Sequence, residues 1–264
     1  MKNVTSCIFG ASLILFGQQG LAQTNFEKGL EIATKAEQKD DGFKDVKSKV
    51  EMILTNKSGV SSTRQISFKT MEGSGQAGDK SVLVFNSPAD QRGTALLTHN
   101  KFGEDNEQWL YLPALKRVKR IASSNKSGPF VGSEFAFEDI GGRELEDYSY
   151  LYIKDDTLNE QECHVVESYP KSKYSGYKRL LTWFDKQHFR VLKVEFYDKK
   201  DSHLKTLLAK DYHLYEDSYW RAHILEMTNH QTKSVTVLKS SDYQFGLGAR
   251  DKEFSKAALK RIRL

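Results

Sequence analysis

Cysteine is nearly absent: the chain of 264 residues holds two, Cys7 and Cys163. Cys7 lies in a short N-terminal apolar run, so loss of that run leaves Cys163 alone and excludes an intramolecular disulfide. Stability must then come from a core. Charge of one sign is scarce as well. Forty Lys and Arg face thirty-five Asp and Glu, a formal +5 that is too weak and too mixed for a nucleic-acid binder. Beyond the N-terminal run no apolar stretch is long enough to span a bilayer.

Assembled chemistry is missing too. The seven histidines form no HExxH pair and no other tight metal-ligand spacing. His164 adjoins Cys163, but neighbours on a strand point to opposite faces and are poorly placed to share a metal. There is no GxSxG elbow. Glu138 with Asp139, and Asp155 with Asp156, could be offered as acid–base pairs; spacing alone favours solvated turn carboxylates. The glycine-rich stretch near Gly73 lacks the lysine and the strand–helix context of a phosphate loop. The sequence predicts no catalytic residues, no metal and no cofactor.

What is present begins with the N-terminus. Lys2 is followed by an apolar run from Val4 to Phe16 and by the small residues Gly20 and Ala22, the three parts of a secretory signal peptide. Residues 1–22 are expected to be a leader cleaved after Ala22, with export to the periplasm; an uncleaved anchor is the alternative. Removal of Lys2 takes the formal +5 to +4. The remaining residues, 23–264, read as one domain, with no repeat, linker or boundary inside them.

From Asn25 to Gln38 the apolar residues Phe26, Leu30, Ile32, Ala33 and Ala36 recur at helical spacing, and Gly42 stops the pattern. The period then changes to two. Val46, Ser48, Val50, Met52 and Leu54 share one strand face, and "KSGV" turns the chain into "RQISFKT", the second arm of a hairpin. Eleven further strand-like runs follow without intervening helices, which predicts one large antiparallel sheet. So wide a sheet hides its edges and one face by curling toward a barrel. A closing helix over "RDKEFSKAALKRIRL" presents Phe254, Ala257, Ala258 and Ile262, and helices at both ends are expected to cover the concave face. The few helices look too short to fill it, which favours a partly open apolar pocket.

The run "WLYLPALKRVKRIASSNKSGPFVGSEFAFEDI" resembles a signature of the LolA-like outer-membrane lipoprotein-sorting family. A W-x-Y-x-P strand leads to a basic K-R-V-x-R-I segment, a serine-rich turn and G-S-D-F-x-Y-E-D-L. Here Glu134 stands for the aspartate, Phe137 for the tyrosine and Ile140 for the leucine. One departure is the turn Asp198–Asp201, where a glycine is usual. The resemblance covers essentially the whole mature chain. It implies a mainly β fold: a strongly curved antiparallel sheet forming a half-open, LolA/LolB-like barrel with a few lid helices. It also implies a periplasmic carrier of lipid or lipoprotein acyl chains, moving them toward the outer membrane. The implied partner is an inner-membrane exporter of the RND/MMPL type, with transient membrane contact. The competing reading is a non-carrier accessory or sensor module that binds an exporter or envelope protein.

Site residues are expected in three groups. Phe68, Trp109, Tyr111, Leu192, Val194 and Phe196 are expected to line the cavity, with Leu192, Val194 and Phe196 on one strand face. Phe130, Phe135 and Phe137 form either an apolar flap at its mouth or a loop packed into the core. Arg117, Lys119 and Arg120 lie on a strand whose two faces are both mixed. Either they are a solvated edge that discourages aggregation, or a cationic rim that meets anionic headgroups or an acidic partner.

Overall fold

The structure is a computed structural model that describes residues 15–73 and 77–262, with side chains from Thr24 onward. Most of the expected leader therefore lies outside the described residues, as do residues 74–76 of the glycine-rich turn. Helix α1, Leu15–Gln38, begins within the expected leader and runs on past Ala22. No helix among the described residues is long and apolar enough to cross a membrane.

Among the described residues thirteen strands follow α1. The first six are β1 (Asp45–Thr55), β2 (Ser61–Met71), β3 (Ala77–Ser87), β4 (Ala95–Lys101), β5 (Glu107–Leu112) and β6 (Arg117–Ile121). A long crossover, residues 122–147, carries the short helix α2 (Phe137–Ile140). Then come β7 (Tyr148–Leu158), β8 (Gln161–Pro170), β9 (Tyr177–Asp185), β10 (Val191–Asp198), β11 (His203–Tyr215), β12 (Tyr219–Asn229) and β13 (Val235–Phe245). A last short helix, α3 (Lys256–Leu259), closes the chain.

All thirteen strands form one antiparallel sheet in the order β6-β5-β4-β3-β2-β1-β13-β12-β11-β10-β9-β8-β7. Two meanders thus meet where β1 pairs with β13, and the sheet stays open, with β6 and β7 as its edges. Turn chemistry sets the local connections. Asn56 Oδ1 accepts the amides of Ser58 and Val60 in the β1–β2 turn, with Gly59 at φ 81°. In the Asp198–Asp201 turn Asp201 itself takes the left-handed φ of 65°, while Asp198 Oδ1 accepts Lys200 and Ser202 amides. A short polar residue tolerates that conformation, so the usual glycine is dispensable there.

The crossover links opposite edges of the sheet and must pass over its inner face. Phe130 packs against Val50, Met52, Ile66 and Phe85 of β1–β3. Phe135 packs against Leu180, Val194, Phe196 and Met227 of β9–β12. Helix α1 covers the same face at the β7–β9 end, with Ile32 against Val166 and Phe184. Its buried stripe is Gly29, Ile32 and Ala33, continued by the half-buried Ala36, whereas Phe26 and Leu30 stay 42% and 48% exposed, contrary to the apolar spacing. The reason is close approach: a Cβ on Gly29 would stand 2.6 Å from the Tyr152 amide nitrogen.

The outer face is covered as well. Phe254 and Leu259 seal Val82, Val84, Ala95, Leu97 and Trp109. The C-terminal segment therefore covers the convex side of β3–β5, not the concave side expected from sequence. Asp45, 4% exposed, anchors it by accepting the backbone amides of Leu247, Gly248 and Ala249. Lys69 adds a 2.7 Å ion pair to Glu253.

Candidate functional site

The polar residues of the "GSEFAFEDI" stretch are the fasteners of the crossover. Ser133 Oγ donates to the Phe130 carbonyl at 2.8 Å. Glu134 accepts from Asn229 Nδ2 at 2.7 Å through its carboxylate and receives Lys205 Nζ at its carbonyl at 2.9 Å. The side chain of Glu138 accepts from Ser175 Oγ and the Gly176 amide, both at 2.8 Å. Burial pushes its carboxyl above the usual range. Asp139 is the centre. Its carboxylate meets Lys205 Nζ at 2.5 Å, with both side chains 4% exposed, and accepts from Tyr177 OH and the Ala136 amide. Glu138 and Asp139 are thus anchors of the crossover, not solvated turn carboxylates; apart from the Ala136 amide, their hydrogen-bond partners lie 37 to 66 residues away in sequence, beyond the reach of spacing arguments.

Between the crossover, α1 and the inner face lies a cavity of about 500 Å³, within the 300–1,000 Å³ typical of small-molecule sites. Its floor is apolar: Val50, Met52, Ile66, Phe68, Leu83 and Leu238 from β1–β3 and β13, with Phe135 and Ile140 from the crossover. The rim is different. Lys39, Asp40, His188, Arg190, Trp220 and Arg221 gather where α1 ends beside the β9–β10 and β11–β12 turns. Arg190 is tied to Asp185 at 2.8 Å and lies 4.5 Å over the Trp220 ring; Arg221 pairs with Asp40 and stacks over Phe43. An apolar floor beneath a cationic and aromatic rim suits an amphiphile with a greasy tail and an anionic head.

The expected lining residues are dispersed by the fold. Phe68 lines the cavity. Val194 and Phe196 are on the inner face but sealed under Phe135, at 2% and 0% exposure. Leu192 departs from them: a bulge between Val191 and Lys193 turns it to the outer face, against Cys163, Val165 and Trp183. Trp109 and Tyr111 also face outward, beneath the C-terminal segment, while Leu110 points in. Strands β3–β5 are apolar on both faces, so alternation pairs the right residues without telling inside from outside.

Phe130 and Phe135 are 0% and 3% exposed, and Phe137 meets Phe130 edge-on at 5.6 Å. Only Phe135 of the three borders the cavity. Arg117, Lys119 and Arg120 are exposed on β6, the sheet edge, with Arg120 paired to Glu107 at 2.9 Å. None of the three lines the cavity; Arg120 borders a separate groove shared with Lys256, Lys260 and Arg261. The cations at the cavity come from α1 and two hairpin ends, dispersed at Lys39, Arg190 and Arg221. An aromatic beside an arginine near each turn, Phe189-Arg190 and Trp220-Arg221, is the signal by which sequence could have found them.

A family model described as an uncharacterized protein matches residues 77–261. No curated protein matches the chain. Among solved structures the chain is similar to an outer membrane lipoprotein-sorting protein domain from Vibrio parahaemolyticus. The two are 49% identical over 90% of this chain and 100% of the other, with a TM-score of 0.88. A DUF1329 family protein from Desulfovibrio piger is 28% identical, covering 89% of this chain and 99% of its own, with a TM-score of 0.84. A LolA superfamily protein from Nitrosomonas europaea shares the fold at 20% identity, with 87% and 98% coverage and a TM-score of 0.71.

Proposed function

The chain belongs to the LolA-like outer-membrane lipoprotein-sorting family, and from that premise we propose that it is a periplasmic carrier for the acyl chains of a lipid or lipoprotein. The tail lies against Met52, Ile66, Phe68 and Leu238 in the inner cavity, and the head meets the rim at Arg190 and Arg221. The observation that carries this reading is the cavity itself, apolar at its floor and left open by the chain's own side chains. Each methylene buried there contributes about 0.8 kcal/mol, so a dozen of them outweigh the ordering costs of a single tail. Release then requires a partner with a better apolar site, for which an inner-membrane exporter of the RND/MMPL type is the proposed candidate.

Lipid extraction and mass spectrometry of gently purified protein test the proposal, paired with Leu225→Trp, which fills the cavity from β12. Co-purifying acyl lipid that is lost in Leu225→Trp, with folding intact, is the expected result. Protein that carries no lipid, and binds no fluorescent fatty-acid probe, overturns it in favour of the accessory-module reading. The exposed cations of β6, which lie apart from the cavity, are the feature that favours that second reading.

A further inference from the structure

We propose that Asp211, His213 and His223 form a binding site for a borderline transition-metal ion, Cu²⁺ or Zn²⁺, at the end of the β11–β12 hairpin. The three are brought together by register. Tyr212 pairs with Ala222 and His213 with Arg221, so the strands carry residues ten apart in sequence to the same place. One ligand atom from each residue lies within 4.8 Å of the other two. His213 Nε2 is 3.0 Å from Asp211 Oδ1, and the two imidazole rings are 4.2 Å apart, inclined at 37°. Tyr215 OH, 2.8 Å from His223 Nε2, places a further oxygen beside the cluster.

Two imidazoles and one carboxylate suit copper, nickel and zinc, and are poorly matched to calcium or magnesium, which prefer oxygen throughout. Asp211 and His213 are exposed, so the ion has open access and keeps positions for water. The His213 and His223 rings lie side by side, 4.2 Å apart, with no hydrogen bond between them. A bound cation gives both rings a common partner. The site also adjoins the cavity: His223 lies 5.5 Å from the ring of Tyr243, which lines it.

The test uses untagged, chelator-stripped full-length protein, titrated calorimetrically with Cu²⁺ and Zn²⁺ slightly above neutral pH. One ion per chain is expected, with nitrogen hyperfine structure from two imidazoles in the Cu²⁺ paramagnetic resonance spectrum. His213→Ala should weaken binding by at least the roughly 10–100-fold that loss of an outer-sphere partner costs. Asp211→Asn should weaken it as well, while Ca²⁺ gives no heat. His230→Ala, in the separate His203–His230 pair, should leave binding unchanged. Binding that survives His213→Ala and Asp211→Asn, binding lost in His230→Ala, or no stoichiometric binding by the wild-type chain overturns the proposal. Should His213→Ala fail to fold, Asp211→Asn and the resonance spectrum of the wild-type chain decide.

Discussion

Replacing Asp139 by alanine removes the carboxylate that Lys205, Tyr177 and the Ala136 amide all converge on. Lys205 is left 3% exposed, with only the Glu134 carbonyl and the faces of Tyr177 and Phe196 around its ammonium group. Breaking one side of a buried ion pair costs about 3–5 kcal/mol, because the surviving charge is stranded. For a domain of this size each kcal/mol moves the melting temperature by roughly 2–4 °C, so Asp139→Ala should melt roughly 6–20 °C below the wild type. Lys205→Met should lose a comparable amount, softened because Asp139 keeps two hydrogen-bond donors. The double variant Asp139→Leu/Lys205→Met removes both charges of the dry pair, leaves only the longer 3.9 Å contact of Arg143 unpartnered, and should be much less destabilised than the sum of the singles. Urea unfolding followed by tryptophan fluorescence gives all three values. An Asp139→Ala protein within about 1 kcal/mol of wild type, or strictly additive singles, refutes the idea that this pair fastens the crossover.

Burial pushes the Asp79 carboxyl up to about 6, above the ~3.9 of an unfolded chain. The native state therefore holds more protons across that interval, and this group's contribution makes stability fall as pH rises from about 4 to 6. Asp79→Asn should gain stability relative to wild type at pH 7 and show no gain near pH 4; a flat difference across a melting series would contradict it. Asp45→Ala should strip three amides of their acceptor, about 1.5–3 kcal/mol for each charged hydrogen bond at most, and hydrogen exchange should speed up over residues 247–259 while β9–β10 stay protected. Trp109→Ala should loosen the same C-terminal segment, measured by proteolysis after Arg250, yet leave fatty-probe binding unchanged, since Trp109 faces away from the cavity.

Period-two patterning made the strands legible, and the long motif made the half-open curved sheet legible. Each alternation pattern depends on one strand's own residues, which is why it survived. Which face looks inward depends on what covers the sheet, and here both faces are covered: Phe254 and Leu259 outside β3–β5, Phe130 and Phe135 inside. Trp109 and Tyr111 were therefore paired correctly and sited on the wrong side. Leu192 failed for another reason: one inserted residue at the Val191–Lys193 bulge reverses the phase locally, and a one-residue slip flips the side chain. Glu138, Asp139 and Lys205 were invisible as a unit because charge pairing across 66 residues leaves no periodic trace.

The two kinds of tie around the cavity differ in a way that bears on how it opens. The crossover is fastened by a dry ion pair, 4% exposed on both sides, and by phenylalanines with almost no exposure. Across the rim, the tie between the end of α1 and the β11–β12 hairpin is Arg221, 14% exposed, to Asp40, just past α1, whose carboxylate is 59% exposed and open to water. An ion pair so wet is worth roughly 0–1 kcal/mol, against several for the buried one. Fluctuations that widen the mouth therefore break the Arg221–Asp40 contact long before they lift the crossover. With Phe130 and Phe135 packed into the core, the proposed carrier is expected to take in and release its ligand past the end of α1.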